Sequence, residues 1–136
     1  MIRPIIKDTF FLGQKSEDAV KEDLPIGQDL QDTLYAHRDR CVGMAANMIG
    51  ERKRIIAMAR GPVIIVMLNP KILSRSGEYE TEEGCLSLEG VRKTTRYRSI
   101  RLSWQDMQMK VRTGTLDGFQ AQIVQHEIDH CDGILI

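Results

Sequence analysis

The sequence predicts an α+β fold in which antiparallel strands pack around a C-terminal helix carrying paired histidines, with one further helix near the N-terminus. Three observations carry this. Helical apolar periodicity occurs at residues 24–40 and again at 118–131. Between them lie short runs rich in Ile, Val and Met, punctuated by Gly-Pro and Asn-Pro. No crossover helices separate those runs, so neighbouring strands are expected to pair antiparallel.

In the first helix, residues 24–40, Ile26, Leu30, Leu34 and His37 fall on one stripe, with Asp23 and Pro25 as start signals. His37 closes that stripe as an ordinary, partly buried helix residue. Arg54–Ala59 and Val63–Leu68 read as strands joined by a turn at Gly61-Pro62, and Asn69-Pro70 is expected to break the second. Lys71–Ser74 and Tyr97–Trp104 read as further strands, the latter pairing with Val111–Thr115. The last helix should run from Gly118 to Cys131, with Asp117 as N-cap and Asp132-Gly133 as its stop. On it Phe119, Ile123, His126 and His130 share one face, turned toward the core.

The 136 residues suit a single domain spanning 1–136. Lys plus Arg and Asp plus Glu are both 19, and no block concentrates one sign. Nucleic acid is therefore not expected as a partner. The N-terminus carries no signal-like apolar stretch, and the longest apolar run, 63–68, is far too short to cross a bilayer, so no membrane association is expected. Three cysteines are too few for a disulfide scaffold; they fit a cytoplasmic protein and direct attention to metal or catalytic use.

His126-Glu127-Ile128-Asp129-His130 is an H-E-x-x-H motif. Two histidines four apart on a helix stand one turn above each other and can grip one divalent ion, and the adjacent glutamate can take a proton from water activated there. A catalytic site of this kind usually has a third protein ligand and an open position. Downstream, Asp132 is too close along the chain to arch back, so the third ligand should come from upstream. Cys85, in Glu82-Glu83-Gly84-Cys85-Leu86-Ser87, is the best candidate, because glycine permits a close backbone approach. Cys41 and Cys131 read as small buried hydrophobes, and Cys131 faces some 100° away from His130.

Three segments make the chain resemble the peptide deformylases. Gly43-Met44-Ala45-Ala46 is similar to the family's first motif, G-x-G-φ-A-A-x-Q with φ apolar. Glu83-Gly84-Cys85-Leu86-Ser87 is identical to its second, and Gln125-His126-Glu127-Ile128-Asp129-His130 matches its third, Q-H-E-x-D-H. The resemblance covers essentially the whole chain. It implies a deformylase-like α+β fold and a centre of Cys85, His126 and His130 holding Fe²⁺, for which Zn²⁺, Ni²⁺ or Co²⁺ can substitute. It implies hydrolysis of the N-formyl group from nascent formyl-methionyl peptides, releasing formate. Glu127 would act as base and then acid, the Leu86 backbone N–H would face the oxyanion, and Val42 and Gly43 would border the substrate. Apolar side chains near His126 would accept the methionine.

Two departures stand out. Cys41 occupies the place of the first motif glycine. Met48 occupies the place of the family's substrate-facing glutamine, whose amide donates a hydrogen bond to the developing oxyanion; a thioether has no hydrogen to donate. Loss of one such donor costs roughly 10²–10³ in rate. The sequence thus predicts a deformylase whose activity is reduced. Its rivals are a silent metal- or peptide-binding relative, an amidase of other specificity, and a structural metal site. The sequence stops at Ile136, so ribosome docking through a C-terminal extension is not expected.

Overall fold

The computed structural model describes all residues, 1–136. It contains helices α1 (Thr9–Leu12), α2 (Leu24–Ala36) and α3 (Gly118–Cys131). Five strands, β1 (Gly43–Ala45), β2 (Ile55–Arg60), β3 (Val63–Cys85), β4 (Leu88–Gln105) and β5 (Val111–Asp117), form one antiparallel sheet in chain order. The expected α+β class, the antiparallel pairing and the bounds of the last helix are all found.

The β2 run is apolar from Ile55 to Ala59 because both its faces are covered there. Ile55 and Ala57 join Leu30, Leu34 and Leu12 in one buried cluster, while Ile56 and Met58 join Val124, Ile128 and Cys131 in a second. Successive strand residues point to opposite faces, so α2 lies on one side of the sheet and α3 on the other. A half-solvated strand would have alternated with polar residues.

Some sequence expectations need correction. Helix α2 ends at Ala36 rather than residue 40, and His37 caps it, its Nδ1 lying 2.8 Å from the Thr33 carbonyl. Asn69-Pro70 does not break the chain into separate strands: β3 runs through it and absorbs the dipeptide as a bulge, with the pairing to β4 shifting between Leu68 and Lys71. Asn69 takes a left-handed φ of 52°, and its side chain bonds the Ala19 backbone and Gln105, while Pro70 sits where no ladder N–H is needed. The strands expected at 71–74 and 97–104 are therefore parts of two long strands, β3 and β4, joined by the two-residue turn Leu86-Ser87. On α3, Asp117 occupies the N-cap position without a side-chain hydrogen bond, and Phe119 is exposed although Ile123, His126 and His130 on the same face are buried. No helix is long and apolar enough to cross a membrane.

Candidate metal centre

Three elements bring the donor atoms together. Helix α3 presents His126 and His130 one turn apart on its sheet-facing side, with ring centroids 4.9 Å apart. Their Nε2 atoms approach to 3.2 Å. Cys85 is the last residue of β3, where a register shift after Gly84 and the tight turn that follows swing the chain toward the helix. The ligand atoms of Cys85, His126 and His130 lie within 4.8 Å of one another. The two histidines and the cysteine singled out from sequence are thus brought to one place.

Their surroundings suit a cation. His126 Nδ1 lies 2.8 Å from Glu83 Oε1, and donation to that carboxylate leaves Nε2 facing the cluster. Burial opposes the charging of His126, but hydrogen bonds to Cys85 and Glu83 and the nearby negative charge of Glu127 outweigh it and raise the imidazole to about 10. Burial and the neighbouring His126 lower His130 to about 3. The surroundings of His126 therefore favour a positive charge beside Cys85, Glu83 and Glu127. Two Nε2 atoms on one ion at ~2.05 Å would be about 3.3 Å apart in a tetrahedral arrangement, close to the 3.2 Å found. The residues present fit a divalent metal ion.

Behind the ligands runs a polar chain that the sequence reading did not identify. Arg96 reaches Glu83 Oε1 with Nη2 at 2.7 Å and Asp129 Oδ2 with Nη1 at 2.7 Å. Gln122 Nε2 donates to Glu83 Oε2 at 2.8 Å. Burial alone would raise the Glu83 carboxyl, yet hydrogen bonds from His126, Arg96 and Gln122 hold it down at about 2. Glu83 is a permanent anion that fixes the orientation of His126. Gln125 ties α3 to the sheet, accepting from the Tyr97 N–H and donating to the Tyr97 carbonyl. Glu83, Gln125 and Asp129 stand within the motifs quoted above, whereas Arg96 and Gln122 lie outside them and carried no sequence signal.

Glu127 is buried, and its Oε1 has no hydrogen-bond partner. Burial raises its carboxyl to about 7, against the opposing pull of His126. Gly43 on β1 leaves it room: a Cβ built there would stand 2.8 Å from Glu127 Oε2 and 2.6 Å from Ile123 Cγ2. A cavity of about 570 Å³ opens over the centre, and Val42, Gly43, Cys85, Leu86, His126 and Glu127 all reach its wall. Val42 is exposed at the rim, and Phe119 and Ile123 add apolar surface.

Met48 is placed differently. It is 1% exposed, lies outside the cavity wall, and sets its Sδ 4.0 Å from Cys85 Sγ. Residues Ala46–Ile49 form a 3₁₀ turn rather than an extended run, and Asn47 turns inward to donate to the His130 and Leu12 carbonyls at 2.9 and 3.4 Å. Of the remaining cysteines, Cys131 is buried as expected, whereas Cys41 lines the cavity and donates its thiol to the Gly43 carbonyl. Burial pushes both thiols up to about 12.

Residues 6–136 match the family model described as Polypeptide deformylase. The chain is 52% identical to a peptide deformylase of Clostridium beijerinckii over 136 residues, all of both chains. It is 37% identical to a peptide deformylase of Dictyoglomus thermophilum, covering 98% of this chain and 84% of that one. Among solved structures, a peptide deformylase from Legionella pneumophila superposes with a TM-score of 0.89 at 34% identity, over 99% of this chain and 83% of that one. A Met-Ala-Ser-bound class I type b peptide deformylase from Acinetobacter baumannii gives 0.88 at 28% identity, over 99% and 97%. Cysteine and paired histidines around a buried glutamate, on this sheet and helix, agree with what the whole-length matches establish: the chain belongs to the peptide deformylase family.

Proposed function

We propose that this protein hydrolyses the N-formyl group of formyl-methionyl peptides, releasing formate, with Cys85, His126 and His130 holding one divalent ion and Glu127 moving the proton. The observation that carries the reading is the buried Glu127 carboxylate, its Oε1 unpartnered, at the wall of a cavity that Cys85 and His126 also line, with His130 buried in the same donor cluster. When bound, the ion supplies Lewis acidity, lowering the pKa of water and polarising a carbonyl. Everything else falls to the chain. Glu127, held at about 7, accepts a proton from the attacking water and returns it to the leaving amine. Glu83 keeps His126 in the tautomer whose Nε2 faces the centre. The Leu86 backbone N–H faces the oxyanion, Val42 and Gly43 flank the peptide, and Phe119 and Ile123 supply apolar surface for the methionine side chain.

Fe²⁺ is the ion proposed in the cell, and Zn²⁺, Ni²⁺ or Co²⁺ can replace it, since thiolate with imidazole suits all four. The substrates are nascent chains, which places the work in the cytoplasm. A specific observation favours reduced activity. Met48 has no hydrogen to donate, and its sulfur instead accepts from the Ala45 N–H at 3.5 Å. The test is formate release from a formyl-Met tripeptide by anaerobically purified, Fe²⁺-loaded protein, with Glu127→Ala beside it. Glu127-dependent release supports the reading. An intact protein with one metal per chain and no release would favour a silent binder, or an amidase acting on unformylated substrates.

A further inference from the structure

Met48 packs in the core with Leu12, Leu30 and Met44, and its sulfur stands beside the proposed metal centre. It is buried at 1% exposure, its Sδ lies 4.0 Å from Cys85 Sγ, and its one other polar contact is the Ala45 N–H. That contact uses one of two sulfur lone pairs. A thiolate bound to an ion at ~2.3 Å and a longer, weaker thioether on the same ion would lie about 4 Å apart. The Met48–Cys85 separation is close to that edge, as the 3.2 Å between the His126 and His130 Nε2 atoms is close to its own. The donor set gathered here is then two imidazoles, a thiolate and a thioether, the combination with which proteins hold copper, the thioether being the weak, long axial ligand.

We propose that Met48 is a fourth, weak and displaceable donor of this centre, biasing it toward soft, thiophilic ions. The inference rests on Cys85, His126 and His130 forming the metal centre proposed above. Where the family's glutamine would offer an amide hydrogen, this chain offers a soft lone pair. A weak thioether leaves room for water and substrate, so the proposal is compatible with hydrolysis, and it gives Met48 a role other than a lost donor.

The test is X-ray absorption of the full chain loaded with one equivalent of Cu⁺, together with chelator competition for Cu⁺, on wild type, Met48→Leu and Met48→Gln. Leucine is a volume-conserving exchange that cores tolerate, and glutamine is the residue of the family motif, so at least one folded variant is expected. The expected result is two sulfur neighbours in wild type and one in either variant, with Cu⁺ binding roughly tenfold weaker in the variants. An equal sulfur count and equal affinity in wild type and variants would overturn the proposal while leaving the three-ligand centre standing. A Cys85→Ser control that binds Cu⁺ as tightly as wild type would instead overturn the three-ligand centre, and the proposal with it.

Discussion

Adding one methyl group at Gly43 should slow this enzyme without emptying its metal centre. Gly43 does not have a left-handed φ, so alanine meets no backbone strain, and by stiffening the unfolded chain it would contribute about 0.4–1 kcal/mol of stability. The methyl itself has nowhere to go. It would lie 2.6 Å from Ile123 Cγ2 and 2.8 Å from Glu127 Oε2, short of the ~3.5 Å ordinary contact by about 0.9 and 0.7 Å. Ile123 is held in the core between sheet and helix, so the freer Glu127 carboxylate, with its unpartnered Oε1, should give way first. Overpacking of this kind costs about 1–3 kcal/mol, for a net destabilisation of roughly 1–2 kcal/mol. A catalytic group displaced by about 1 Å loses on the order of 10² in rate. Formate release from a formyl-Met tripeptide should therefore show kcat about a hundredfold lower in Gly43→Ala, with metal content unchanged and the melting temperature only modestly reduced. A folded, loaded variant with kcat within about threefold of wild type would refute the reasoning, as would a loss confined to KM, which would mean that the methyl blocks substrate rather than displacing Glu127.

Other perturbations probe separate parts of the design. Arg96→Met leaves Glu83 buried without its cation, and urea denaturation should report a loss of about 3–5 kcal/mol; a loss under ~1 kcal/mol would mean the pair is solvated. Asn47→Leu strips the Leu12 and His130 carbonyls of an amide donor and should cost about 1–3 kcal/mol in the same measurement. Met48→Gln should raise kcat/KM for formate release at least about tenfold at equal metal loading; no gain would separate Met48 from any rate deficit. Chelation of the bound ion should lower the melting temperature by about 8 °C where the ion had been present at ~100 times its dissociation constant, as read by calorimetry.

What could be read from the sequence divides by range along the chain. The histidine pair was legible because i, i+4 spacing on a helix maps directly onto one face, and α3 has the expected bounds. Cys85 was legible from its glycine-flanked turn. The course of β3 was not. Asn-Pro is a turn signal in most settings, and only the tertiary partners of Asn69, on Ala19 and Gln105, convert it into a bulge. Nor could spacing reveal Arg96 as the partner of Glu83. The strand register sets Glu83 opposite Arg92 and Arg96 opposite Tyr79. Glu83 nevertheless pairs diagonally with Arg96, because Arg96 is fully buried beside α3 while Arg92 is only half-buried.

That diagonal pair explains why Asp129 belongs in the histidine motif although it neither lines the cavity nor joins the donor cluster. Asp129 sits one residue before His130 and accepts from Arg96, whose other nitrogens hold Glu83, which in turn accepts from His126. One guanidinium thus clamps the helix at Asp129 and the hairpin at Glu83, two residues from Cys85, and so fixes the helix-borne and strand-borne donors relative to each other. Helix α3 could otherwise slide along the sheet, held there mainly by apolar contacts and by Gln125. Apolar contact is non-directional, whereas a two-sided guanidinium fork tolerates little displacement. Neutralising Asp129 as Asp129→Asn should therefore cost little stability, because that carboxylate is partly exposed. It should nonetheless weaken metal affinity by roughly 10–100-fold, measured by chelator competition. Unchanged affinity would show that packing alone sets the distance between Cys85 and the two histidines.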